Sequence, residues 1–202
     1  MPSLRFAALA LLLILLPSMT HANALAPYRL DPVHSRVVFA VMHDGYSRVI
    51  GTFAKPNGTL WFDPEDWANS RVEVNIDLAT LDLGDADFNA RIARSDYLDT
   101  HEHRYAHFRS TRVEPHSATR ATVHGVLSLR GQDTAISLDV TLNRQARSAW
   151  SLRRTVGFSA TAILSRAALD MRAHRSAVGD EVELRIEVEA VRMPRDAADL
   201  AT

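Results

Sequence analysis

The sequence predicts an all-β fold of antiparallel strands, and three observations support this. Apolar and polar residues alternate with period two along most of the chain, most clearly in residues 71–78 and 181–188. Only two short segments have helical character, and no repeat of roughly 20–50 residues is evident. Each alternating segment has one apolar and one solvated face, as antiparallel strands do. About eight or nine such strands form either a closed barrel or a sandwich, and the alternation alone does not choose between them.

The first element of the chain is a predicted secretory signal peptide, residues 1–24. Arg5 provides the positive start, residues 6–16 form an almost unbroken apolar run, and cleavage after Ala22 or Ala24 fits the small residues that a signal peptidase requires. The run is too short for the roughly 20 residues that a membrane-spanning helix needs. The chain has no Cys, which argues against a lipid-anchored form. The predicted location is the periplasm, with no transmembrane anchor in the mature chain.

Residues 25–192 are predicted to form one domain, because this length suits a single barrel with a sizeable core. Asn57-Gly58 and Gly131-Gln132 are predicted as tight turns between consecutive strands, since Gly and Asn accept positive φ. Residues 193–202 contain Pro194 and few apolar side chains, so we predict a flexible tail. Besides the two clearest segments, strands are predicted at Arg36–Met42, Val49–Ala54, Thr59–Phe62, Phe108–Glu114, Thr122–Arg130, Thr134–Leu142 and Val156–Leu164.

Two segments that lack the alternation are predicted as short helices. Residues 85–93 begin with Asp85 as N-cap, and residues 165–171 begin with Ser165 in the same role. Asp and Ser side chains accept hydrogen bonds from the first free N–H groups of a helix, which is why they are typical of that position.

Composition excludes several classes of function. The 23 Lys and Arg residues nearly balance the 24 Asp and Glu residues, so nucleic-acid binding, which needs a concentrated basic face, is not predicted. Without Cys the chain has no disulfide, Cys-metal or Cys-nucleophile chemistry. We also found no nucleophile elbow, zincin pair, P-loop or dinucleotide fingerprint.

Several short blocks, taken together and in order, resemble the YceI-like family of exported lipocalin-like barrels. They span almost all of the mature chain, and their shared order makes the resemblance specific. The blocks are Tyr28-Arg29-Leu30-Asp31 with His34-Ser35, His43-Asp44-Gly45-Tyr46-Ser47 with Gly51-Thr52-Phe53, Asn57-Gly58-Thr59-Leu60 with Asp63-Pro64, Ser95-Asp96-Tyr97-Leu98-Asp99 with Ala106-His107-Phe108, Gly125–Gly131, Gly157-Phe158-Ser159-Ala160 and Val178–Leu184.

The resemblance implies an antiparallel lipocalin-like β-barrel of about eight strands with one or two short helices. It implies binding of a polyisoprenoid or another long-chain acyl lipid, for transport or storage, without a cofactor and without catalysis. It allows a homodimer, which nothing in the residues decides. Family members commonly have Arg and His in the helix where this chain has Phe88 and Arg91, and Tyr-Pro where it has His103-Arg104. These departures suggest a changed head group.

On this hypothesis the candidate ligand-binding residues fall into three sets. The predicted lumen wall is aromatic, the predicted flap lies on the first helix and after it, and two arginines there are candidates for a phosphate or carboxylate head group. Ordinary core packing and a solvated helix face are the alternatives. The wall residues are Phe39, Phe53, Trp61, Phe108 and Phe158; the flap residues are Phe88, Ile92, Tyr97 and Leu98; the arginines are Arg91 and Arg94. Small residues such as Gly51, Gly125 and Gly157 would leave room for the guest, or would only ease strand twist.

Three other functions stay open at this point. Ser35 beside His34, or Ser95 beside Asp96, has atom types suited to a hydrolase, although sequence proximity does not establish a catalytic geometry. His101, His103 and His107, with Glu102, could bind zinc or copper, whereas a solvated loop is the simpler interpretation. A sandwich with exposed strand edges would serve protein interaction. We predict no catalytic residue and no metal site.

Overall fold

The computed structural model describes residues 25–194. The predicted signal peptide lies outside these residues, as does all but the start of the predicted tail. The strands are β1 (Ala26–Leu30), β2 (Arg36–His43), β3 (Ser47–Ala54), β4 (Asn57–Phe62), β5 (Arg71–Asp77), β6 (Leu81–Asp82), β7 (Tyr105–Pro115), β8 (Arg120–Leu129), β9 (Gln132–Arg147), β10 (Arg154–Ser165) and β11 (Val178–Arg192). The helices are α1 (Ala86–Ile92) and three 3₁₀ turns, Trp67–Asn69, Leu78–Thr80 and Ala167–Leu169.

Eight of the strands close into an antiparallel barrel, which confirms the predicted fold class. The ring runs β1-β4-β5-β7-β8-β9-β10-β11 and closes where β11 pairs with β1. The long strand β11 also pairs with β2 over Val182–Glu187, and β3 and β6 continue the sheet from there. Closure pairs both edges of the eight-stranded ring, which an open sheet would leave free.

Ser35 joins the two strands that share β11. Both β1 and β2 pair with β11, and Ser35 lies in the gap between these two strands. Its hydroxyl accepts a hydrogen bond from the Glu189 N–H at 3.2 Å and donates one to the Glu189 carbonyl at 3.3 Å. The buried side chain therefore replaces the missing ladder bonds of the backbone.

The alternation seen in the sequence becomes the inner face of the barrel. Val72, Val74 and Ile76 on β5 face the interior, while the residues between them face solvent. The same holds on β11, where Val182, Leu184, Ile186 and Val188 face inward. The strand period of two places these residues on one side of the sheet.

One predicted turn is confirmed to within a residue, and the other is wrong. Arg130 and Gly131 form a two-residue turn between β8 and β9, with φ of 57° and 69°, as a type I′ hairpin requires. Asn57-Gly58 instead begins β4 and pairs with β5, and the turn before it uses Lys55 at φ 55°. Gly58 is needed for close approach, because a Cβ there would lie 2.9 Å from the Cα of Val74.

The first predicted helix is confirmed, and the second is shorter than predicted. The carboxylate of Asp85 accepts a hydrogen bond from the Phe88 N–H at 2.8 Å and caps α1. The second segment forms a single 3₁₀ turn, Ala167–Leu169, in which the Ser165 hydroxyl accepts from the Ala168 N–H at 3.2 Å. No helix among residues 25–194 is long and apolar enough to span a membrane.

Candidate functional site: the barrel cavity

The barrel encloses a cavity of about 470 Å³ whose lining is almost wholly apolar. This volume falls in the roughly 300–1,000 Å³ range of small-molecule sites. The lining consists of the inward-facing side chains of strands all round the barrel, with α1 and the β10–β11 connection contributing at one end. Such a lining favours an apolar ligand, such as a hydrocarbon chain, over a strongly polar one.

Three aromatic rings close one end of the cavity, and we call them the plug: Phe62, Trp67 and Phe158. Their rings meet edge to face, with centroid separations of 5.3 Å for Phe62–Trp67 and 5.4 Å for Phe62–Phe158. Trp67 is only 6% exposed, and its indole N–H has no hydrogen-bond partner among the described residues. An unpaired buried donor is uncommon and marks a position where a polar atom of a guest or a water could bind.

The other end of the cavity carries polar groups, and we call it the mouth: His43, Arg91, Tyr97, Arg166 and His174. His43 ends β2, and Arg166 and His174 lie in the connection between β10 and β11. Arg91 lies on α1, and Tyr97 follows α1 in the chain. His43, Arg91 and His174 are exposed as well as cavity-lining, so the cavity reaches the surface here. The rings of Tyr97 and His174 stack, with centroids 6.1 Å apart and planes 12° from parallel.

Arg166 is the buried cation of the mouth, with 4% of its surface exposed. Its Nη1 donates to the carbonyls of Val178 and Gly179 at 3.0 and 3.2 Å, and its Nη2 donates to the Ala173 carbonyl at 2.8 Å. Burial lowers the pKa of Arg166, although a guanidinium stays protonated in proteins. The side chain thus fixes the β10–β11 connection and puts a positive charge at the cavity surface.

Two inward-facing glycines lie under aromatic rings. A Cβ on Gly51 would lie 2.6 Å from Cε1 of Phe39, and one on Gly125 would lie 2.5 Å from Cζ of Phe108. Real Cβ atoms do not approach so closely, so the rings occupy the space that side chains would need. The small residues therefore make room for aromatic side chains against the wall, which leaves the middle of the barrel open.

Nine of the eleven candidate ligand-binding residues line the cavity: Phe39, Phe53, Phe88, Arg91, Ile92, Tyr97, Leu98, Phe108 and Phe158. Whether they bind a ligand stays a prediction. Trp61 and Arg94 lie elsewhere. Trp61 faces outward, where the Arg71 guanidinium stacks on it at 4.2 Å from the ring centre, and the inward residue is Phe62. Arg94 is exposed beyond the end of α1 and is not part of the lining.

The sequence analysis missed Phe62, Trp67, Arg166 and His174. Residues 60–62 are all apolar, so the sequence does not show which of them face the barrel interior. Pairing with β5 does show it, because Leu60 pairs with Val72 and the two share a face. Arg166 had no such signal, since a buried arginine is rare and its segment was predicted only as a short helix.

The predicted alternative sites do not assemble. His101 contacts Glu102 at 2.9 Å, while His107 contacts Asn75 on the neighbouring strand. In the described part of the chain, one group of three side chains could bring metal-ligand atoms within 4.8 Å of one another, namely Asp31, His34 and Glu189 on the outer surface. In this group the hydrogen bond to Asp31 raises the pKa of His34, so the imidazole and the carboxylate are already paired with each other.

A profile of the YceI-like domain matches residues 28–190. The chain belongs to the YceI-like family. Curated relatives include a UPF0312 protein of Serratia proteamaculans, 30% identical over 83% of this chain and 87% of its own length. Others are a UPF0312 protein of Vibrio cholerae, at 31% over 82% and 88%, and Protein YceI of Escherichia coli O157:H7, at 30% over 83% and 87%.

Solved structures of other bacterial proteins share this barrel. BcnA of Burkholderia cenocepacia superposes with a TM-score of 0.72 at 24% identity, covering 79% of this chain and 98% of BcnA. A domain of Saccharophagus degradans, described as polyisoprenoid-binding, superposes with a TM-score of 0.64 at 16% identity, covering 84% of this chain and all of that domain. At these identities the likeness shows the fold alone.

Proposed function

We propose that this protein binds the hydrocarbon tail of a polyisoprenoid or acyl lipid inside its barrel, and carries or stores that lipid in the periplasm. The observation that carries the proposal is the continuous apolar cavity between the plug and the mouth. Burial of each CH₂ stabilises a complex by about 0.8 kcal/mol, so a tail of a dozen carbons gains on the order of 10 kcal/mol before ordering costs.

Two further lines support a lipid ligand. A structural neighbour of this barrel is described as a polyisoprenoid-binding domain. The apolar lining also combines with one polar end, which suits an amphiphile whose head stays near solvent while its tail is buried. The proposed location rests on the leader-like residues 1–24 and is tested separately, by fractionation of cells that express the full chain.

Binding fits the geometry better than hydrolysis does. The Ser35 hydroxyl donates its proton to the Glu189 carbonyl, and the His34 ring contacts Asp31 at 2.9 Å. A nucleophilic serine would instead donate to the imidazole of its base. We therefore propose a binding protein, and turnover of a model ester by the purified chain would contradict that.

A chain-length series tests the proposal. Purified, delipidated protein is titrated with saturated alcohols of increasing length by calorimetry. We expect affinity to rise about fourfold per added CH₂ and then to level off once the cavity is full. Absence of binding, or affinity that does not depend on chain length, would contradict it.

A matched pair of variants locates the site in the same assay. Val74→Phe places bulk in the cavity, and Glu73→Phe places the same ring on the outer face of β5. We expect the first variant to level off at a shorter chain and the second to behave as the wild type.

A further inference from the structure

The charged and histidine side chains that line the cavity are all basic. Three are arginines, two are histidines, and none of the lining residues, all within residues 25–194, is Asp or Glu. The whole chain has 24 acidic residues against 23 Lys and Arg, so a lining drawn without bias would contain both signs. The five bases are His43, Arg71, Arg91, Arg166 and His174.

Four of these bases belong to the mouth, and the fifth is engaged elsewhere. The Arg71 guanidinium lies over the outward-facing Trp61 ring at 4.2 Å. The mouth therefore concentrates positive charge and hydrogen-bond donors at the end where the cavity reaches the surface.

Arg166 has no carboxylate partner in the part of the chain that the structure describes. Among residues 25–194 no carboxylate oxygen lies within 4.0 Å of its guanidinium nitrogens, and three backbone carbonyls are its acceptors. The nearby Asp180 carboxylate is taken by the Ser165 hydroxyl at 2.6 Å and the Ala167 N–H at 2.8 Å. Buried charges are normally paired, so an unpaired guanidinium at a cavity surface favours a ligand that supplies the missing negative charge.

We infer that the mouth selects an anionic head group, a carboxylate or a phosphate, with Arg166 as its main partner and Arg91 as its second. This inference rests on the proposed function, since it concerns the head of the amphiphile whose tail fills the barrel. A guanidinium binds either anion by charge-assisted hydrogen bonds, which are about twice as strong as neutral ones. The donors of His43, His174 and Tyr97 complete a polar ring around the head group.

Two pairs of probes test the inference, because the members of each pair share a tail and differ in charge. Palmitate is compared with hexadecanol, and geranylgeranyl phosphate with geranylgeraniol, by calorimetry on delipidated wild-type protein. We expect the anion to bind about 10- to 100-fold more tightly than the alcohol in at least one pair. Equal affinity for both members of each pair overturns the inference and leaves lipid binding intact. Failure of both pairs to bind removes the proposed function as well.

Variants assign the preference to residues. Arg166→Gln should lose most of the anion preference, measured as the ratio of anion to alcohol affinity within each variant, and Arg91→Gln should lose a smaller part. Arg172→Gln removes a charge from the same end outside the lining, where Arg172 pairs with Asp170, and should change neither affinity. If Arg166→Gln is folded by circular dichroism yet keeps the full preference, the assignment is wrong. If it does not fold, Arg166→Lys is used, which should keep the sign of the preference at reduced strength; loss of the preference in a folded Arg166→Lys also overturns the assignment.

Discussion

Phe39 and Gly51 face each other across β2 and β3, and the ring of one fills the space above the other. A Cβ at Gly51 would also lie 2.7 Å from Cδ2 of Leu83. The Phe39 ring therefore packs directly on the β3 backbone at Gly51, and the width of the cavity at this point depends on that contact. Any side chain at Gly51 must push the Phe39 ring toward the lumen.

Gly51→Ala should destabilise the protein by about 1–3 kcal/mol, because the added methyl overpacks the wall. For a chain of this size that lowers Tm by about 2–4 °C per kcal/mol. Thermal denaturation followed by circular dichroism measures the change. The control is Gly157→Ala, where a Cβ would meet only the Val188 carbonyl at 3.9 Å. Equal stability of both variants would contradict the packing described for Phe39.

Phe88→Asp should weaken binding of a long-chain alcohol by about 10- to 100-fold, because the ring lines the cavity and its loss removes about 1.5–3 kcal/mol of apolar contact. The fold should persist, since α1 has no fully buried residue. Ala90→Asp places the same charge on the exposed side of α1 and serves as the control. If both variants bind as the wild type does, α1 does not border the ligand.

Trp67→Phe should change the free energy of unfolding by less than about 1.5 kcal/mol, because the substitution keeps a ring in the plug and removes a donor that has no partner among residues 25–194. Trp67→Ala should cost about 3–5 kcal/mol, since it leaves a hole beside Phe62 and Phe158. Urea denaturation compares the two. Equal losses would mean that the indole N–H, and not the ring, stabilises this end.

Acid should loosen the mouth through Asp180. The Ser165 hydroxyl, then the Ala167 N–H, lower the pKa of this carboxyl below its ordinary value. A lowered pKa in the folded state contributes stability that is present above about pH 4 and is lost as pH falls through the folded pKa. Asp180→Asn should therefore lower Tm at neutral pH and reduce its fall between about pH 5 and pH 2. Glu181→Gln, on the exposed side of β11, is the control; an unchanged acid profile in Asp180→Asn would contradict this role.

The sequence predicted an element of the fold correctly where a single local pattern determined it. Period-two alternation identified the inner faces of β5 and β11, and the Asp85 cap identified α1. The prediction failed where the pattern was ambiguous. The phase of the apolar run before Asp63 depended on pairing with β5, and Gly58 served close approach of two strands where a turn was predicted.

The site was less predictable because it depends on three-dimensional closure. Aromatic content suggested wall residues, yet nothing local separated the inward Phe62 from the outward Trp61. The burial of Arg166 depends on the folded β10–β11 connection and the start of β11, which together supply its three carbonyl acceptors. The position of a buried polar group is set by tertiary structure, and it cannot be predicted from the periodicity of the sequence.

The most direct measurement is native purification followed by solvent extraction and mass spectrometry of what the barrel contains. The account predicts a recurring isoprenoid or acyl species at close to one molecule per chain. Folded protein that is repeatedly free of any such species, from cells that make both lipid classes, would contradict it.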